Sequence, residues 1–146
     1  MMTVKEYLSQ LQELEKAIAD QKEYIETLRD SLTSIGGMGM NPDKVQTSGA
    51  DKDKFAKVIA KVIDAEEKLK DMEEKFGLLK VQIAEQIHIM DDLILKKLLK
   101  LRYIDWKKHD TIKKVANAMG YSYDYTKELH RNALEAFGRM FLHLTP

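Results

Sequence analysis

The chain has 146 residues, no cysteine, and 24 basic side chains against 24 acidic ones. That length suits one ordinary domain or two small ones, and the lack of cysteine excludes disulfides and thiolate metal sites. Alanine, leucine, glutamate and lysine are abundant while proline occurs only at Pro42 and Pro146, a composition that predicts an all-α protein.

No run of about 18 apolar residues is present, so neither a transmembrane helix nor a membrane partner is expected. The N-terminus lacks a basic segment followed by an apolar stretch, which argues against a secretory signal. Together with the missing cysteines this favours the cytoplasm. The balanced charge hides an asymmetry. Residues 1–89 hold 13 Lys+Arg and 17 Asp+Glu, a net of −4, whereas residues 90–146 hold 11 and 7, a net of +4. A basic C-terminal part behind an acidic stem suits a nucleic-acid binder, although lysines also serve simply to solvate helix faces.

The first predicted element runs from about Thr3 to Leu32. Val4, Leu11, Ile18, Ile25 and Leu32 share one heptad position, and Tyr7, Leu14, Gln21 and Leu28 share the other. This is a coiled-coil seam with one polar interruption. Thr3 and Glu6 form a capping box at its start. Residues 33–50 break the pattern, because Gly36, Gly37 and Gly39 disfavour helix and Asn41-Pro42 signals a turn. The Gly-Gly-Met-Gly run lacks the Lys-Ser/Thr ending of a phosphate-binding loop and has no strand before it, so a plain loop is predicted.

A second heptad run starts near Asp51. Phe55, Val62, Leu69, Phe76, Ile83 and Met90 share one position, while Val58, Ala65, Met72, Leu79, Gln86 and Leu93 share the other. The simplest reading of residues 1–90 is a long antiparallel coiled-coil helical hairpin with the 33–50 loop at its tip. Two helices bury little, so a homo-oligomer through the seam is expected; the alternative is a monomer whose hairpin folds onto its own C-terminal module.

The repeat fails beyond Met90, where Lys96, Lys97 and Lys100 take seam positions, and a second domain is predicted over 91–146. Asp91 or Asp92 can cap a helix rich in leucine that ends near Arg102-Tyr103-Ile104. A polar connector, Asp105 to Asp110, carries Trp106. Residues 112–131 then have the spacing of a helix-turn-helix. Ala116 is small where two helices cross. Gly120 allows positive φ in the turn, and Val115, Met119, Tyr121 and Leu129 are spaced to meet beneath it. Ser122 is placed as the N-cap of a last helix running to about Leu142.

In a DNA-binding unit of this kind the second helix enters the major groove. Its base-facing candidates are Tyr123, Asp124, Lys127, Glu128 and Arg131. Arginine can address guanine with two hydrogen bonds, and a carboxylate can accept from cytosine. Lys107, Lys108, Lys113 and Lys114 surround the preceding helix and suit phosphate neutralisation. His88, His109, His130 and His143 form no recognisable ligand set, so no metal is expected. No nucleophile or paired-carboxylate pattern emerges, so neither an enzyme nor a cofactor is expected.

Asp43-Lys44-Val45-Gln46-Thr47-Ser48-Gly49, Arg102-Tyr103-Ile104, and Gly120-Tyr121-Ser122-Tyr123 through Leu129-His130-Arg131-Asn132-Ala133-Leu134 resemble a family of small proteins from phages and prophages of Gram-positive bacteria. The C-terminal module is similar to region four of housekeeping sigma factors and to the ArpU- and RinA-type regulators of phage late genes. The resemblance implies a transcriptional regulator that binds double-stranded promoter DNA in a bacterial host, with host RNA polymerase as a further partner. It also adds Ser122 to the base-facing candidates. The connector is longer than the family's short turn, and Thr126 stands where an aliphatic core residue is usual, so its hydroxyl needs a partner. The competing functional reading is a coiled-coil scaffold that docks onto polymerase or another phage protein without touching DNA. Salt-dependent binding to mixed duplex DNA separates the two.

Overall fold

The structure is a computed structural model that describes residues 2–36 and 49–142. Every regular element among them is helical: α1 (Val4–Gly36), α2 (Gly49–His88), α3 (Leu93–Leu99), α4 (Ile112–Met119) and α5 (Tyr123–Phe137). α3 and α5 each continue into a π-helical turn, Lys100–Ile104 and Gly138–Leu142 respectively. None of these helices is long and apolar enough to cross a membrane.

The capping box opens α1: the Thr3 amide donates to Glu6 Oε2 at 3.0 Å and the Glu6 amide donates to Thr3 Oγ1 at 3.1 Å. α1 continues to Gly36, inside the segment expected as loop. In this stretch Ser31 and Thr33 donate their hydroxyls back to the carbonyls of Thr27 and Arg29, one helical turn earlier, which satisfies them without leaving the helix. Residues 37–48 of the predicted loop, with Gly37, Gly39, Asn41-Pro42 and the Val45-Gln46-Thr47-Ser48 string, lie outside the described residues, as does His143, while Gly49 and Ala50 already belong to α2.

The chain divides into two compact units, one made of Met1–Glu15 with Phe76–Pro146 and one of Lys16–Lys75. In the second unit Ile18, Gln21, Ile25 and Ala65 are buried, and Leu28, Val58, Val62, Leu69 and Met72 are partly buried. The heptad seam is thus covered by the chain's own second helix. Gln21, the polar interruption, donates from Nε2 to the Ala65 carbonyl at 3.0 Å, so its amide is not left unpaired. Arg29 and Glu66 form an exposed ion pair beside it. Phe55, another seam position, remains exposed at the far end of this unit's second helix.

The first unit has a continuous core. Val4, Leu8 and Leu11 of α1 and Ile83, Ile87 and Met90 of α2 are buried in one cluster with Leu98, Leu99, Tyr103, Val115, Leu129, Ala133, Leu134 and Phe137. This unit draws on residues from either side of Met90. Residues 1–15 and 76–90, which together make the open end of the predicted hairpin, cluster with the C-terminal helices. Tyr7 ties the two long helices here: its hydroxyl donates to Gln86 Oε1 and accepts from Gln82 Nε2, both at 2.8 Å. Asp92 caps α3 by accepting from the amides of Ile94 and Leu95. Leu93, expected on the seam, is exposed instead, because α2 ends at His88 and the chain turns before it.

Candidate nucleic-acid interface

α4 begins at Thr111, whose hydroxyl oxygen accepts from the Lys114 amide. It ends at Gly120, which has φ +77°. The amides of Gly120 and Tyr121 both donate to the Ala116 carbonyl, at 2.9 and 3.0 Å, and close the helix end. A left-handed residue at this point sends the chain sharply away from α4, and glycine adopts it without a Cβ penalty. Ser122 follows in an extended conformation, and its Oγ accepts from the Tyr125 amide at 3.2 Å to cap α5.

α5 has two distinct sides. Thr126, Leu129, Ala133, Leu134 and Phe137 are buried, whereas Tyr123, Asp124, Lys127, Glu128 and Arg131 are exposed. The six residues expected to face bases thus lie on the open side of the turn and the first turns of α5. Ser122 is exposed too, although its oxygen is engaged in the cap. Lys127 is partly restrained: its Nζ lies 3.5 Å from Asp124 Oδ1 and 4.6 Å from the centre of the Tyr123 ring. Glu128 and Arg131 enter none of the ion pairs among the described residues.

Thr126 is fully buried, and its hydroxyl donates to the Ser122 carbonyl at 2.8 Å. That bond supplies the partner a threonine needs at an otherwise aliphatic position. Val115 and Ala116 are buried beneath the turn as spaced, and Met119 is half-buried. Tyr121 is not beneath it. Its ring is exposed and meets Tyr125 edge-on, with centroids 5.2 Å apart. Three tyrosines, 121, 123 and 125, therefore surround the head of α5.

The four phosphate candidates separate into two pairs. Lys114 holds Asp110 at 2.7 Å, and that hydrogen bond keeps the Asp110 carboxyl below its ordinary range. Lys107 lies 3.0 Å from Glu15 Oε1, and Trp106 donates from Nε1 to Glu15 Oε2. Burial pushes the Glu15 carboxyl up, but the hydrogen bonds from Lys107 and Trp106 outweigh it and hold Glu15 low. Glu15 fixes the connector, a role hidden in the sequence because it sits among the outer polar positions of the heptad run. Lys108 and Lys113 are exposed and take part in no ion pair among the described residues.

Among the described residues no group of histidine and carboxylate side chains is arranged to hold a metal ion. His130 instead hydrogen-bonds Tyr103 within the core. Compared with known proteins, the chain matches no protein-family model, no curated protein and no solved structure.

Proposed function

We propose that the protein is a DNA-binding transcriptional regulator in which α4, the Gly120 turn and α5 act as a helix-turn-helix. The observation that supports this reading best is the two-sidedness of α5: an apolar side in the core, and an open polar side carrying Lys127 and Arg131 directly after a tight turn. α5 would lie in the major groove, with Arg131 and Lys127 addressing base edges or phosphates and the lysines around α4 neutralising the backbone. α1 and α2 would pair as an antiparallel coiled-coil stem. On the resemblance to sigma region four and phage late-gene regulators, the site of action would be a phage promoter in the bacterial cytoplasm, beside host RNA polymerase.

A second reading draws on the ion pairs. Lys107, Lys114 and Lys127 each face a carboxylate, and Asp124 and Glu128 share the groove-facing side. This reduces the positive potential and favours a scaffold that docks onto polymerase or another phage protein without DNA.

The test is selection of bound sequences from random duplexes, followed by a mobility shift on the selected site. Lys127→Ala combined with Arg131→Ala should abolish selective binding while leaving helicity unchanged, because both side chains are exposed. No retarded duplex at low salt with the unmodified protein would favour the scaffold. Normal binding by the double variant would move the recognition surface away from α5.

A further inference from the structure

Within the first unit, the last turns of α2 and the helix that follows enclose an open groove of about 760 Å³. Ile89, Leu93 and Ile104 line it, with Lys97 and Lys100 along one side. Leu93 is 72 % exposed and Ile89 58 % exposed. Further back on α2, Leu78 at 75 % and Val81 at 57 % lengthen the same apolar stripe. The spacing of Leu78, Val81 and Glu85 places them on one face of α2, and Ile89, just past its end, continues that line with its amide on the Glu85 carbonyl. α1 leaves this face open, because Tyr7 and its neighbours engage α2 through Gln82, Gln86, Ile83 and Ile87. Exposed aliphatic side chains gathered beside an open groove offer a surface on which an apolar partner can dock.

A groove between two helices accepts a third helix with an apolar face. From Leu78 to Ile89 the stripe extends about 16 Å, roughly three turns of a docked helix. Charge narrows the choice of occupant. Three lysines line the groove, Lys96, Lys97 and Lys100, against the single carboxylate of Glu85. Lys96 donates to the His88 carbonyl at 3.0 Å and closes the end of α2, while Lys97 and Lys100 are exposed. Two copies meeting through this face would gather the lysines of both, an unfavourable contact. An occupant with acidic flanks would pair with them.

We propose that this groove docks an acidic amphipathic helix from a different protein. Apolar side chains of that helix enter between Ile89 and Leu93, and its flanking carboxylates meet Lys97 and Lys100. None of the groove residues belongs to the proposed DNA-contact set, so the two activities can fail separately.

The probe is a fluorescein-labelled synthetic peptide of about 18 residues, long enough for the stripe, with leucines at i, i+3, i+4 and i+7 and glutamates between them. A twin carries lysines in place of the glutamates. Titrated with the full-length protein, the acidic peptide should show saturable anisotropy that weakens with salt, and the basic twin should not bind. Leu93→Asp should reduce affinity about tenfold or more. Lys97→Glu with Lys100→Glu should shift the preference to the basic twin. These side chains are exposed, so circular dichroism should stay as in the unmodified protein for every variant, and duplex binding should stay so for Leu93→Asp. Absence of saturable binding, equal binding of both peptides, or indifference to Leu93→Asp would overturn the proposal. So would a solution mass showing a dimer that Leu93→Asp converts to a monomer, since a second copy would then own the groove.

Discussion

The Tyr103 hydroxyl lies 2.7 Å from His130 Nε2, and the two rings stack with centroids 5.8 Å apart at 25°. The contact joins the π-helical turn after α3 to the middle of α5, and so fixes the proposed recognition helix to the core. Burial pushes the tyrosine up to about 12, against the opposing effect of Arg102. Burial also lowers the histidine to about 4, helped by the charges of Lys5 and Arg102. Both groups are neutral near pH 7. With the imidazole proton on Nδ1, the hydroxyl donates to Nε2.

This contact makes stability depend on pH. The folded histidine binds its proton less readily than the unfolded one, whose pKa is about 6.5. Stability from the neutral pair is complete above about 6.5 and declines as pH falls through the window down to about 4, where the unfolded chain holds the extra proton. A gap of that size corresponds to at most about 3 kcal/mol. Urea midpoints measured from pH 7.5 to 4.5 should drop more steeply for the unmodified protein than for His130→Gln. Parallel curves would show that His130 does not titrate differently on folding.

A smaller effect is expected at the head of α5. The Ser122 carbonyl accepts twice from Thr126, from its amide at 3.0 Å and from its hydroxyl at 2.8 Å. Thr126→Val removes the hydroxyl donor but leaves the carbonyl paired to the amide, and the new methyl fills the same buried space. Because no buried group loses its last partner, Thr126→Val should change stability by less than about 1 kcal/mol in either direction. Thr126→Ala opens a cavity and should cost more. Chemical denaturation of both variants checks the ranking. If valine is the worse of the two, the hydroxyl contributes beyond this single bond.

What could be read from the sequence follows from how far each determinant acts. Gly120 and Ser122 punctuate the α4–α5 turn through their own φ angle and their own side chain, so the local order of residues was enough to place them. The seam positions at Ile18, Ile25 and Ala65 follow from a period of seven and are buried accordingly. Leu8 and Ile87 lie just off that period yet are buried, because they face the C-terminal helices rather than the seam. Nothing within a few residues of either encodes that docking. Glu15 is a similar case, since its partners Trp106 and Lys107 are some ninety residues away. Tyr121 had the spacing of a core residue, but the left-handed turn at Gly120 carries its ring outward to Tyr125.

The division among the four connector and α4 lysines gives the sharpest test of the phosphate contacts. A lysine that neutralises a phosphate contributes about one to the slope of log affinity against log salt. Lys108 and Lys113 pair with no carboxylate among the described residues and should each lower that slope by about one when changed to alanine. Lys107 and Lys114 stand beside Glu15 and Asp110, whose negative charge remains nearby when DNA arrives, so Lys107→Ala and Lys114→Ala should lower it less. Asp110→Asn removes one of those competing charges and leaves Lys114 free to turn toward a phosphate, so duplex affinity at low salt should rise. Anisotropy titrations of a mixed-sequence duplex between about 50 and 200 mM salt, the range over which phosphate contacts dominate, measure all five variants together. Equal slopes for the four alanine variants, with no gain from Asp110→Asn, would mean that the ion pairs around α4 do not control how this face meets DNA.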